Sequence, residues 1–194
     1  LRKRVYFVGS SGTGKTTLAA HVTKKWGLSP LPSASRSVQQ ESGRSYADLR
    51  ADLDAYNSFQ LDVFKRQVKN EAEATGNYVS DRAFDFLIYT AMYGTVAWQI
   101  ARSDTFRDYM TGLRLHDDGA ALMFFVRPTR ETWRAAMKQN QRREFLKWED
   151  VLRFDGAVKL ILESHEMSYI TIDTPVLADR IRQVDAVMNV LPRK

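Results

Sequence analysis

The run Gly9-Ser10-Ser11-Gly12-Thr13-Gly14-Lys15-Thr16 constrains this chain more than any other stretch. It meets the pattern G-x-x-x-x-G-K-[ST] in full and in the context that the pattern needs. Ahead of it lies a short β-branched and aromatic run, Val5-Tyr6-Phe7-Val8; behind it Leu18, Ala19, Val22 and Trp26 recur at helical spacing up to Gly27. Glycines let a strand-to-helix loop curl until successive backbone N–H groups point inward. The helix start adds its positive dipole end and its unpaired N–H groups. A loop built this way cradles phosphate. Gly9 to Thr17 then form the donor site, with Lys15 at the β- and γ-phosphates of a nucleoside triphosphate and the Thr16 hydroxyl on Mg²⁺.

Such a loop follows a strand of an open sheet, and the rest of the chain alternates accordingly. Strands are predicted over 4–9, 78–80, 121–126 and 169–172, with a loop over 28–37 that has room for a short fifth. Helices are predicted over Lys15–Trp26, Tyr46–Thr75, Phe84–Tyr93, Val96–Leu115, from Pro128 to about Glu166, and over Val176–Val190. Alternation of this kind gives an α/β three-layer fold, a parallel sheet covered on both faces, with ligands beyond the carboxyl ends of the strands. No repeat or linker divides the 194 residues, so one domain over 1–194 is expected.

Composition removes several alternatives. With no cysteine, disulfides, thiolate zinc sites and thiol nucleophiles are excluded, and His21, His116 and His165 have no metal-ligand spacing. No apolar run approaches the roughly 18–20 residues that span a bilayer, which makes a cytoplasmic address the expectation. The net charge of +6 suits either a nucleic acid or the handling of triphosphates. Much of it is local: residues 127–153 hold eight Lys/Arg against four Asp/Glu.

The loop names a donor and leaves the acceptor open. No N-K-x-D guanine-reading motif and no L-S-G-G-Q signature occurs, which favours phosphoryl transfer over a switch or a transporter ATPase. Val79-Ser80-Asp81-Arg82 sets a carboxylate at the end of a buried strand. Asp81 is placed either to hold Mg²⁺ or to take the proton of an attacking hydroxyl, or to cap the following helix. Arg82 suits a bidentate grip on a phosphate.

The run from Asp81 to Tyr89 resembles the D-R-x-x-x-D-x-x-x-Y-like segment of small P-loop kinases related to ribosylnicotinamide and deoxynucleoside kinases. The helix carrying Phe59-Gln60-Leu61-Asp62-Val63-Phe64 and Gln67 is similar to the one that lines their acceptor pocket. Size and motif order look most like the phage-encoded 5-hydroxymethyluracil DNA kinases. The resemblance implies a five-stranded parallel kinase core, ATP and Mg²⁺ as donor and metal, and Asp81 as the catalytic carboxylate. It also implies a helical, arginine-rich lid over about 127–153. There Arg130, Arg134, Arg142 and Arg143 would offset charge on the transferring group, or else form surface ion pairs. On the acceptor side Arg36, in the loop after the first helix, is placed to grip a phosphate or to stay solvated. Tyr46, Tyr56, Phe59 and Gln60 are placed to contact a base or to fill the core. The acceptor favoured is the 5-hydroxymethyl group of hydroxymethyluracil in DNA, in host cytoplasm if the chain is phage-encoded. The alternatives are free nucleosides or nucleoside monophosphates, and a regulatory ATPase without an acceptor.

Overall fold

The computed structural model describes residues 3–115, 121–139 and 147–190. Five strands form one sheet: β1 (Arg4–Val8), β2 (Ser29–Pro30), β3 (Tyr78–Ser80), β4 (Leu122–Val126) and β5 (Ile170–Ile172). Their order is β2-β3-β1-β4-β5 and every neighbouring pair is parallel. Val5 stands beside Val79 on one side and Leu122 on the other. A parallel sheet needs both faces covered, which is why the central strands are apolar without alternation. Val5 and Phe7 face one core with Phe124, Val126 and Ile172, under α1 (Lys15–Trp26) and α10 (Leu177–Val190). Tyr6 and Val8 face the other with Met123 and Phe125, under α4 (Leu53–Glu73), α5 (Phe86–Tyr93) and α9 (Trp148–Ser164). Phe7 and Phe124 stack across the centre at 5.0 Å.

The remaining helices show where punctuation was misread. Residues 28–37 are not a loop throughout: α2 (Ala34–Ser42) begins there, because Pro30 and Pro32 lie before it and Ala34 and Val38, one turn apart, are buried. Arg36 is therefore helical. The stretch from Tyr46 divides into α3 (Tyr46–Ala51) and α4 at Asp52, whose side chain accepts the Ala55 N–H at 3.0 Å. Residues 96–115 divide likewise, into α6 (Ala97–Ala101) and α7 (Asp104–Arg114), at the Ser103 cap. The charged segment after Pro128 is α8 (Arg130–Gln139) followed by α9, and the turn expected at Asp117-Asp118-Gly119 lies outside the described residues. No described helix is long and apolar enough to cross a membrane.

Candidate functional site

Between β1 and α1 the glycines do what the motif requires. Gly9, Gly12 and Gly14 have φ of +140°, +83° and +90°, a region that other residues adopt at a cost. Gly9 is also fixed by space, since a Cβ there would lie 2.3 Å from the Val126 carbonyl oxygen of β4. Inside the arch the Lys15 ammonium donates to the carbonyls of Gly9 at 2.7 Å and Ser10 at 2.8 Å, and Thr13 Oγ1 donates to Ser10 O at 3.0 Å. Ser10 is fully buried, and its hydroxyl has no partner among the described residues. Thr16, in the first turn of α1, donates its hydroxyl to Asp81 Oδ2 at 2.6 Å. Asp81 comes immediately after β3, the strand beside β1, and that adjacency is what joins two residues 65 positions apart. A hydroxyl and a carboxylate in contact beside a phosphate loop form a hard-oxygen donor set that fits Mg²⁺.

A residue that sequence reasoning missed holds this end together. Arg180, on α10, is 1% exposed. Its guanidinium donates to the Thr13 carbonyl in the loop, to Thr174 O at 2.5 Å and to Arg127 O at 3.1 Å. It thus ties the loop to the chain beyond β4 and β5. Burial pulls it below the usual arginine value, with Asp173 opposing. The available signal was an arginine in a buried helical stripe, Arg180-Val184-Met188.

A cavity of about 1280 Å³ runs from Ser11–Thr17 to a wall made by α4 and α5. Among the described residues its lining carries five cationic side chains, Lys15, Arg36, Arg50, Arg82 and Arg180, against two carboxylates, Asp81 and Glu131, a balance that attracts anions. Arg36 lines the mouth and is exposed. Tyr56 is buried and donates to Tyr89 O at 3.3 Å while accepting from Gln60 Nε2 at 2.7 Å; both Tyr56 and Gln60 face the cavity. Arg82 also lines it, held by Asp85 at 3.2 Å and lying 5.3 Å over the Tyr89 ring. Asp85 is fully buried and precedes α5, where it accepts the Ala83 N–H at 2.9 Å, so it anchors the turn that aims Arg82. Arg50 was not anticipated: it lines the cavity with its guanidinium 4.6 Å over Tyr93, a ring that only the fold brings beside it.

None of the described cations of the basic segment lines the cavity. The α8 residues that line the cavity are Glu131, Thr132, Ala135 and Ala136, while Arg130 and Arg134 are exposed and outside the lining. Arg130 lies over Trp148 at 5.3 Å. Arg127 is bound to Asp155 at 2.5 Å and Arg153 to Asp150 at 2.9 Å. Arg142 and Arg143 lie outside the described residues.

No curated protein matches the chain. Among solved structures it is similar to deoxyadenosine kinase from M. mycoides with bound dCTP, at a TM-score of 0.65 and 15% identity over 97% of this chain and 100% of that one. It is similar to NadR protein in complex with NR, at 0.67 and 18% over 100% of this chain and 52% of that one. Shikimate kinase from Acinetobacter baumannii with shikimate gives 0.57 and 14%, over 98% and 96%. Identities this low establish a shared fold. The family is established by sequence: a model described as an AAA domain matches residues 4–180, and the chain belongs to that family.

Proposed function

We propose that this chain is an ATP- and Mg²⁺-dependent kinase that transfers the γ-phosphate to a hydroxyl of a nucleoside-type acceptor. One observation carries the proposal: the cavity does not stop at the phosphate loop but continues, past Asp81, to a wall of aromatic and amide side chains. A hydrolase needs room for water; this chamber has room for a second substrate. The solved structures of similar fold support the choice of acceptor, since one is a deoxyadenosine kinase and another holds NR.

Mg-ATP, when bound, supplies the transferable group and neutralises part of its charge. The chain's own residues do the rest. Loop N–H groups and Lys15 hold the donor phosphates, and Thr16 with Asp81 presents the oxygens for the metal. Asp81, at the junction of the two halves, orients the acceptor hydroxyl and takes its proton. Arg82 offers two parallel N–H groups to the phosphoryl group from a position fixed by Asp85 and Tyr89. Tyr56 and Gln60 receive the acceptor's base, and Arg36 at the mouth meets an anionic substituent.

Free nucleosides and nucleotides are the first class of acceptor. The hydroxymethyl group of a modified pyrimidine in DNA is the second reading, favoured by the net charge of +6 and by Arg36 and the 38%-exposed Tyr46 at the mouth. The ion pairs of Arg127 and Arg153 reduce what the basic segment offers to a DNA backbone.

The test is transfer of labelled γ-phosphate from ATP, with Mg²⁺, to nucleosides, nucleotides, and DNA with or without 5-hydroxymethyluracil. Label in the small acceptors, abolished by Lys15→Ala and reduced about 10²–10⁴-fold by Asp81→Asn with nucleotide binding intact, is the expected result. Label confined to hydroxymethylated DNA selects the second reading. Hydrolysis without label in any acceptor overturns both and leaves a regulatory ATPase.

A further inference from the structure

Two of the cations that line the cavity are not accounted for by the donor. Arg36 stands in the first turn of α2 and Arg50 on α3. The two helices meet here: the Tyr46 hydroxyl donates to Ser35 O at 3.3 Å, next to Arg36, and Arg50 lies one turn along α3 from Tyr46. Both arginines therefore belong to one wall. Arg36 is exposed and has no hydrogen bond or ion pair among the described residues. Arg50 is half-buried, with the Tyr93 ring 4.6 Å beneath its guanidinium. Tyr93 in turn packs on Tyr56 at 6.1 Å, so this charge is steadied by the aromatic side chains that the acceptor's base would meet.

The neighbouring acids are all engaged elsewhere. Glu41 of α2 accepts from Arg66 at 2.8 Å, Asp48 of α3 from its cap residue Ser45 at 2.6 Å, and Asp52 pairs with Arg44 at 3.1 Å. Glu71 of α4 accepts from Tyr6 at 2.6 Å and from Tyr109 at 2.9 Å. None of these four carboxylates lines the cavity, and the two that do lie after β3 and on α8. The wall made by α2 and α3 thus offers positive charge with no described acid beside it. Cations gathered in this way repel one another, and an anion between them relieves the repulsion. The donor does not supply that anion, since its phosphates lie in the loop with Lys15. It must come with the acceptor. Forked guanidiniums from two helices suit the oxygens of a phosphate.

We propose that Arg36 and Arg50 form an anion subsite that grips a phosphate already present on the acceptor, so that the substrate is a nucleotide unit rather than a bare nucleoside. This rests on the nucleoside-type acceptor proposed above and narrows it. The gripped phosphate is not the one transferred. The acceptor hydroxyl oxygen bonds to the γ-phosphorus as the bond to the ADP oxygen breaks, its proton passes to Asp81, and the phosphate at Arg36 and Arg50 is unchanged. Ser33 and Ser35, whose hydroxyls lie 3.3 Å apart in the same wall, offer neutral donors to its remaining oxygens. A free nucleotide and one unit of a polynucleotide both carry such a group.

The experiment measures kcat/KM for matched acceptors: thymidine and its 3′-monophosphate, then 5-hydroxymethyl-2′-deoxyuridine beside its 5′-monophosphate and beside a short single strand containing it. At least one phosphate-bearing acceptor should exceed its parent nucleoside by about 100-fold, chiefly through KM. Arg36→Gln and Arg50→Gln should each cut that ratio about tenfold or more, and Arg50→Lys, which keeps the charge and loses the fork, should fall between. Damage to the fold lowers both members of a pair and leaves the ratio unchanged; Arg36, being exposed, decides the matter if Arg50→Gln does not fold. A gain with the monophosphates assigns the subsite to free nucleotides, and a gain confined to the strand assigns it to a phosphodiester. Parity between every acceptor and its parent, or a ratio that survives both glutamine substitutions, overturns the inference and leaves the kinase standing. No transfer to any of these acceptors overturns the acceptor class and the inference with it.

Discussion

Replacing Arg180 by methionine tests whether the phosphate loop is held from beneath. The guanidinium serves three carbonyls, those of Thr13, Thr174 and Arg127, and no carboxylate contacts it among the described residues. Hydrogen bonds from a charged donor are worth about 1.5–3 kcal/mol each, so three give roughly 5–9 kcal/mol. Against this stands the cost of keeping the cation out of water, several kcal/mol, which the substitution relieves. The net loss is about 2–4 kcal/mol, and at roughly 2–4 °C per kcal/mol in a chain of this size the melting temperature falls by about 5–15 °C. The loss is directional as well. Thr13 belongs to the loop, and untying it means that donor binding must re-order backbone at about 1–2 kcal/mol per residue. The KM for ATP should therefore rise about tenfold, with the acceptor KM unchanged. Arg180→Lys should lie between, because an ammonium reaches fewer of the three carbonyls than a planar fork. Thermal unfolding with steady-state kinetics in both substrates decides it. A methionine variant melting within 2 °C (about 1 kcal/mol) of the parent, or one that raises both KM values equally, refutes the reasoning.

Two further outcomes follow from the geometry. Asp185 on α10 accepts from Lys25 at 2.7 Å, His21 at 2.9 Å and Trp26 at 3.0 Å. Partial burial raises its pKa, but these hydrogen bonds outweigh it and bring the value from 3.8 to about 2. A depressed acid stabilises the fold above its unfolded pKa, so up to about 2.5 kcal/mol is present at neutral pH and is lost as pH falls from about 4 to about 2. Asp185→Asn should flatten that part of the stability profile; an unchanged acid limb in chemical denaturation would show that the cluster contributes nothing. For Gly9→Ala, the added methyl meets the backbone oxygen of Val126 at 2.3 Å, at a φ of +140°. Since backbone cannot swing aside, the loop must leave β4, at a cost of about 3 kcal/mol or more and a loss of ATP affinity of about 100-fold. Calorimetric titration with ATP checks it, and near-normal binding would mean that the loop does not depend on its contact with β4.

What the sequence discloses depends on how local each interaction is. The phosphate loop is legible because its function is carried by consecutive backbone groups and by Lys15 and Thr16, all within one turn of chain. Central strands are legible because covering both faces of the sheet makes Tyr6 and Phe7 equally buried. Strand order is not, since nothing in β1 says that β3 and β4 flank it, and the meeting of Thr16 with Asp81 is known only once that order is. The lid arginines show the same limit from another side. Spacings of three and four put Arg130 and Arg134 near one face of α8, as the sequence says, but which face meets the cavity is set by what α8 packs against, and that face carries Glu131, Thr132, Ala135 and Ala136. Polar residues inside a buried stripe are the signal that reaches furthest. On α10 it is Arg180, beside Val184 and Met188; on α4 it is Gln60, Gln67 and Glu71 among Phe59, Val63 and Phe64. An unpaired charge or amide at such a position would cost several kcal/mol. Each therefore requires a partner from elsewhere in the fold, and the partners here are the carbonyls beneath the phosphate loop and the tyrosines under the sheet.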